Sequence, residues 1–202
     1  MRTKIDMEMG SLILAISVGL GLSAACGFRV FLPPAALSFA ATQDWIELTG
    51  DFAILDSWTA CAILSAAVIL EVLAYYIPWL DNLLDTIATP SAVIAGTMMS
   101  AAVMGDVDPV IKWSISTIAG GGSSGTIQLG TVATRAVSTG TTGGLANPIV
   151  STMEFIASIF MVILALLAPF LAVGAFIVLI YFAVKFLMKW QAKKSAPQTI
   201  VT

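Results

Sequence analysis

The sequence contains no histidine and only two cysteines, Cys26 and Cys61. The absence of histidine removes the commonest metal ligand and the only side chain that ordinarily titrates near neutral pH. Both cysteines lie in apolar segments without metal-ligand spacing, so we expect small apolar residues of the interior, with a disulfide or a reactive thiol as the alternative. Asp81 and Asp85 lack the YD and GxGD context of intramembrane aspartyl enzymes. The sequence therefore predicts no enzyme activity, no cofactor and no metal.

Charged residues are also scarce, at 10% of the chain, whereas soluble domains contain about 25%. Hydrophobic residues make up 58%, and the mean hydropathy is +0.98. A soluble domain of this composition could not cover its surface with polar groups, so we expect an integral membrane protein surrounded by lipid. The long apolar runs lack the alternation of a membrane β-barrel and predict an all-α transmembrane bundle. No basic groove or recognition motif predicts nucleic-acid binding.

The few basic residues cluster mainly towards the two ends of the sequence. They include Arg2, Lys4, Lys185, Lys189, Lys193 and Lys194. Residues 42–57 instead carry several acidic residues and no lysine or arginine. By the positive-inside rule, both termini are expected to be cytoplasmic, with residues 191–202 as a cytoplasmic tail. This pattern predicts a multi-pass protein of the cytoplasmic (inner) membrane.

Prolines divide the first half of the chain. Three membrane elements are predicted there, at residues 10–28, 58–77 and 91–104. Pro33 and Pro34 interrupt the first apolar run just beyond Arg29, so we expect a broken helix with the arginine beside the break. Pro90 is expected to end a short interfacial or re-entrant helix at residues 78–87 and to begin the third membrane element.

Glycines and a long apolar run shape the second half. Residues 111–137 are predicted to form either a glycine-containing helix packed closely on its neighbours or a discontinuous helix. Residues 139–148 are predicted to form a polar loop. A single helix over residues 149–190 would span about 60 Å, twice the thickness of a bilayer core, so we expect two helices with a hinge near Pro169 and Gly174.

The whole chain, residues 1–202, is expected to form one membrane domain of about six elements. A turn near its midpoint separates a first repeat, at about residues 10–105, from a second at about residues 109–190. Three crossings in each half would relate the two repeats by an inversion, as in many transporters.

Four charged residues lie in apolar surroundings, an arginine followed by a glutamate in each half: Arg29, Glu71, Arg135 and Glu154. A charge at the centre of a membrane costs roughly 2.5–3.5 kcal/mol on insertion scales, so such residues usually have a role. They predict either buried ion pairs that fix helix packing or a transport site. In the second case an arginine holds an anion and a glutamate exchanges a proton. Which arginine faces which glutamate stays open.

A secondary polar site is predicted at Asp81, Asp85, Gly121, Ser123 and Ser124. The two aspartates lie one helical turn apart on one face, which indicates either a cation site or a solvated or arginine-paired face. The GGGSSG run either supplies backbone amides to an anion or lets helices pack closely. It lacks the GK[ST] ending of a phosphate-binding loop.

Several phrases of the sequence occur in a specific order. They are GFRVFLPP at residues 27–34, LE at 70–71, IPWLDNLLDTI at 77–87, TRAVSTGTTGG at 134–144 and NPIVSTMEF at 147–155. Together they resemble a bacterial and archaeal membrane family, domain of unknown function 4126. The resemblance implies a compact polytopic membrane protein and no established activity.

The sequence thus predicts a small transporter or channel for a small solute or ion that uses the Arg/Glu cluster. The alternative is a non-catalytic structural or accessory subunit of a larger membrane protein complex. The small size of the chain also suggests a homo-oligomer. A water-accessible path to the cluster would favour transport, whereas outward faces that are apolar throughout, with no internal polar path, would favour the accessory role.

Overall fold

Residues 2–194 are described by the computed structural model, with side chains at residues 9–77, 80, 83–182, 184, 185 and 188. Within this part the chain forms eight α-helices and no β-strand, which confirms the all-α prediction. The helices are α1 (Arg2–Cys26), α2 (Leu32–Thr42), α3 (Trp58–Ala74), α4 (Pro78–Ala102), α5 (Pro109–Ile115), α6 (Gly122–Thr142), α7 (Asn147–Leu167) and α8 (Pro169–Lys194). A 3-10 helix at Gly50–Leu55 precedes α3. The Asp81 side chain and residues 195–202 of the predicted tail lie outside the described part.

Two predicted helix breaks are confirmed. Pro33 and Pro34 occupy the first turn of α2, where a proline removes no intrahelical hydrogen bond. Arg29 lies in the turn between α1 and α2, beside the break as predicted. The apolar run of the second half likewise divides at Pro169, which is the first residue of α8. Proline chemistry therefore sets both boundaries.

The predicted break at Pro90 is wrong, because α4 continues through this residue as one helix. A proline inside a helix removes one backbone hydrogen bond, and contacts with neighbouring helices can hold the two sides in line. α6 contacts α4 before the proline, where Arg135 bonds to Asp85. It also contacts α4 after the proline, where Gly125 lies close to Val93. The predicted interfacial helix and third membrane element are thus one continuous helix.

The polar loop predicted at residues 139–148 is shorter than expected. α6 continues to Thr142, and α7 begins at Asn147. Gly143 ends α6 in the left-handed conformation, with φ of 64°, and its N–H donates to the carbonyl oxygen of Thr139. A glycine at this position terminates a helix at little steric cost, so it sets the end of α6.

The glycine-rich segment follows a continuous helical path and packs closely on α4. A π-helix at Ser116–Gly121 joins α5 to α6, and the residues at its two ends keep helical dihedral angles. A Cβ atom added at Gly120 would lie 2.6 Å from Cβ of Ser100 and 2.8 Å from the carbonyl oxygen of Gly96. The close-packed alternative is therefore the one found. A π-helix within a longer helix is rare and is often associated with a functional site.

α1 lies at the centre of the helix packing. It contacts α2, α4, α6, α7 and α8. Its last turns are lined by small residues, and Ala24, Ala25 and Cys26 are fully buried. Cys26 and Cys61 are both buried free thiols, in agreement with their predicted role as small interior residues. Small side chains allow the neighbouring backbones to approach α1 closely.

Two helical segments of the described chain are long and apolar enough to cross a bilayer. They are Met9–Cys26 within α1 and the whole of α7. α3 and the segment Pro169–Phe182 of α8 are shorter apolar helices. Large apolar side chains are also exposed on several helices, among them Ile69 of α3 at 60% and Phe160 of α7 at 57%. Such surfaces are unusual for a soluble monomer.

We predict that Gly120→Ala destabilises the fold. The new methyl group would meet the backbone of α4, which cannot rotate away, and overpacking of this kind typically costs about 1–3 kcal/mol. Gly130→Ala is the matched control, because a Cβ atom at Gly130 has nothing within 4 Å. Alanine there is expected to be neutral or stabilising, by up to about 1 kcal/mol. Unfolding of the purified protein in detergent measures both; equal stability would contradict the close packing.

Candidate functional site

The four charged residues predicted from the sequence come together in the interior. Arg29 lies in the turn after α1, Glu71 in the last turn of α3, Arg135 on α6 and Glu154 on α7. All four are buried, with exposed fractions between 1% for Arg29 and 8% for Glu71. Asp85 of α4 joins them through Arg135. Five separate segments of the chain therefore contribute charges to one cluster, which we call the charge cluster.

Arg135 is held by two carboxylates. Its Nε donates to Oε1 of Glu154 at 3.2 Å, and its Nη2 donates to Oε2 of the same carboxylate. Its Nη1 donates to Oδ1 of Asp85 at 2.8 Å. The contact with Glu154 is a bidentate fork, the strongest and most directional form of an arginine–carboxylate pair. α4, α6 and α7 are thus joined at one guanidinium.

Arg29 has a different environment. Its Nη2 donates to both the carbonyl oxygen and Oγ of Ser151, each at 2.6 Å. The same nitrogen lies 3.9 Å from Oε2 of Glu154, which is too far for a hydrogen bond. Nε and Nη1 of Arg29 are buried and have no hydrogen-bond acceptor among the described residues. Arg29 is therefore a buried cation with only part of its donors used.

Glu71 binds backbone amides. Its Oε1 accepts a hydrogen bond from the N–H of Val30 at 2.8 Å, and its Oε2 accepts one from the N–H of Phe31 at 3.2 Å. These amides directly precede α2, whose N-terminus carries a partial positive charge that a carboxylate stabilises. Glu71 consequently anchors the broken turn that holds Arg29. Glu71 therefore bonds to the backbone next to Arg29 and not to the guanidinium itself.

Tyr75 is a member of the charge cluster that sequence reasoning missed. Its side chain is 4% exposed. The guanidinium carbon of Arg29 lies 4.3 Å from the centre of its ring, and that of Arg135 lies 3.9 Å away. Contacts of this kind stabilise a buried guanidinium. The spacing could have indicated this position, because Tyr75 follows Glu71 by one helical turn and therefore lies on the same face of the helix.

The residues of the predicted secondary polar site do not lie together. Asp85 belongs to the charge cluster. Ser123 and Ser124 lie at the other end of α6, eleven or more residues from Arg135 and thus about 16 Å or more along the helix. Their hydroxyl groups donate to backbone carbonyls within the helix. Gly121 packs against Thr97 of α4. These three residues therefore serve helix packing in this structure.

The fold and the site define an all-α protein with a buried cluster of charges and two helical segments that are long and apolar enough to cross a bilayer. Residues 16–189 match the family described as Domain of unknown function (DUF4126). Because the match covers most of the chain, the protein belongs to this family, as the sequence phrases suggested. No curated protein and no solved structure matches the chain.

We predict that Glu154→Ala strongly destabilises the protein. The change removes the carboxylate that lies between Arg29 and Arg135, and loss of one partner from a buried ion pair typically costs about 3–5 kcal/mol. Met153→Ala is the matched control, because Met153 is adjacent in sequence and 62% exposed. Unfolding of the purified variants in detergent measures the difference. If the two variants unfold alike, the cluster does not hold the helices together.

Proposed function

We propose that this protein is a small multi-pass transporter or channel that moves a small solute or ion across the cytoplasmic membrane. Arg29, Glu71, Arg135 and Glu154 would form its substrate or coupling site. The observation that best supports the proposal is a continuous row of buried polar side chains on α6 and α7, which includes two of these charges.

The row on α6 follows the period of the helix. Its members are Ser124, Gln128, Thr131, Arg135 and Ser138, all of which are buried. The adjacent positions Leu129 and Val137 are apolar and exposed, at 62% and 52%. The exposed threonines of α6, at positions 126, 134 and 141, donate their hydroxyl groups to backbone carbonyls one turn earlier. The outer surface of α6 therefore carries satisfied polar groups beside its apolar side chains, as a lipid-facing element around a polar interior can.

The row on α7 has the same polarity. Its buried polar members are Asn147, Ser151, Glu154 and Ser158. The two rows contact each other where Arg135 bonds to Glu154. Asn147 of the α7 row also donates to Oγ1 of Thr139, which lies on α6 beside the row, at 3.0 Å. Polar groups on facing helices that converge on a charge cluster are typical of substrate and ion pathways in membrane proteins.

The membrane arrangement belongs to the same proposal. Exposed apolar faces on α3, α7 and α8 would meet lipid, with both termini in the cytoplasm. The chain would contain two inverted repeats of three membrane elements, and the break at Pro33 lies beside Arg29 of the charge cluster. Broken helices near a charge cluster are a common location for transporter binding sites. The working form would be a homo-oligomer or a complex with other membrane proteins.

The charge cluster supports a transport role through the different chemistry of its members. An arginine stays charged and presents several N–H donors, whereas a buried carboxylate can change its protonation state. Arg135 shares its donors between Glu154 and Asp85, so protonation of either carboxylate would weaken one side of the network. A cluster of this kind can couple solute binding to proton movement.

We predict that water reaches the polar row from the membrane surface. Ser138 is 8% exposed on the buried face of α6, and Val137 next to it is 52% exposed on the apolar face. In a background in which Cys26 and Cys61 are replaced by alanine, S138C should react with a charged, membrane-impermeant methanethiosulfonate, whereas V137C should be protected by lipid. Failure of S138C to react in liposomes would contradict an aqueous path.

We also predict that the glutamates are needed for transport and not merely for folding. Glu71→Gln and Glu154→Gln keep the size of each side chain and should leave the protein monodisperse in detergent, while proton flux into dye-loaded proteoliposomes falls to the level of empty liposomes. Asp51→Asn, at an exposed acidic position outside the cluster, is the control. Wild-type flux in both glutamate variants would contradict the proposal.

The second candidate is a non-catalytic accessory subunit. It is supported by the contacts of Glu71 and Arg135, because the hydrogen bonds of these side chains tie helices to one another. The two roles differ in the labelling experiment. A buried row that never reacts, together with a foreign subunit that copurifies in fixed stoichiometry from native membranes, would favour the accessory role.

A further inference from the structure

We infer that Arg29 binds a small oxyanion at its unused Nε–H donor, which makes a compact anion the substrate class of the protein; Nη1 lies on the opposite edge of the guanidinium and would be met by ordered water. The inference rests on the proposed transport function and adds to it the identity of the binding residue and the charge of the ligand. A single N–H donor in an almost completely enclosed site fits a compact anion of the size of nitrate or a short carboxylate.

The first argument is the number of unused donors. A guanidinium carries five N–H groups, and the described contacts of Arg29 occupy only those of Nη2, on Ser151. Nε and Nη1 are buried without an acceptor, on a side chain that is 1% exposed. Buried donors of a cation that have no partner are costly, so a ligand or ordered water is expected at these nitrogens.

The second argument is that no carboxylate of the charge cluster can easily fill this role. Glu71 is occupied by two backbone amides. Glu154 is bound by both Nε and Nη2 of Arg135, and its nearest oxygen lies 3.9 Å from Arg29. Asp85 accepts a hydrogen bond from Nη1 of Arg135. Arg135 is therefore committed to carboxylates of the protein, and Arg29 is the arginine of the pair with donors for a ligand.

The third argument concerns location and size. Arg29 lies in the break between α1 and α2, and the Tyr75 ring covers its guanidinium at 4.3 Å. Breaks of this kind bring ligand sites to the interior of transporters. Because the guanidinium is almost completely enclosed, a bulky anion would have to displace a helix, whereas a compact planar anion needs only a small opening.

Charge balance requires a proton to enter with the anion. The described charged groups around Glu154 are Arg135, which it binds, Arg29 at 3.9 Å, and Asp85, which shares Arg135 with it. Glu71 and Tyr75 border the same two arginines. With its two arginines and three carboxylates ionised, the cluster has a net negative charge, and a bound anion would make that charge more negative. An anion at Arg29 would lie close to Glu154, whose nearest oxygen is 3.9 Å from the same guanidinium. Repulsion between the two negative charges favours protonation of this carboxylate, so we expect Glu154 to take up the proton. Binding should then strengthen as the pH falls, by about tenfold per pH unit while Glu154 titrates.

Arginine side-chain NMR tests this inference directly. The chain contains only three arginines, so the 15N spectrum of the full protein in detergent should show three Nε–H signals. Arg29→Lys and Arg135→Lys assign two of them. Titration with sodium nitrate should shift the Arg29 signal with saturation and leave the Arg135 signal nearly unchanged. Sodium gluconate at equal ionic strength is the control for size.

Glu154→Gln provides the second arm of the test. This variant resembles the protonated carboxyl, so it should bind nitrate more tightly than the wild type at neutral pH and should lose the pH dependence. The inference would be overturned if the Arg29 signal does not shift with nitrate at any pH, or if it shifts equally with gluconate. Ordered water would then be the partner of Arg29. Saturable nitrate binding without flux in proteoliposomes would instead overturn the transport proposal and keep the anion site.

Discussion

The buried contact between Arg135 and Glu154 is the interaction on which the rest of the site depends. In an apolar interior an isolated charge is too costly to persist, so each charged group must meet partners with good geometry. The fork between these two residues joins α6 to α7, and Asp85 extends it to α4. The Tyr75 ring and the turn that carries Arg29 then assemble around this pair.

Close backbone packing makes this assembly compatible with one compact bundle. Glycines of the π-helix approach α4 so closely that a methyl group at Gly120 would meet the backbone at Gly96. The π-helix also sets the rotation of α6, because one wider turn changes the direction in which every later side chain points. Arg135 lies after this turn, so the glycine-rich segment and the charge cluster are parts of one arrangement.

Several features of the fold could be predicted from local chemistry. Proline in a first helical turn marked the starts of α2 and α8, and the apolar runs marked the helices themselves. Pro90 shows the limit of this reasoning, because contacts with α6 on both sides of it keep α4 continuous. The spacing from Glu71 to Tyr75 held a usable signal as well, but an aromatic residue near a helix end more often marks an interface.

The sequence by itself determined that the chain is helical, that it is strongly apolar, and that four charges in apolar surroundings need an explanation. Composition and periodicity decide these points, because they depend on each residue and its near neighbours. Only the tertiary structure decided which charges meet, since Arg29 and Ser151 are far apart along the chain and come together through the packing of α1 against α7. In the same packing the carboxylate of Glu71 accepts a hydrogen bond from the backbone N–H of Val30, and Nε and Nη1 of Arg29 have no acceptor among the described residues. Long-range contacts of this kind have no local signature in the sequence.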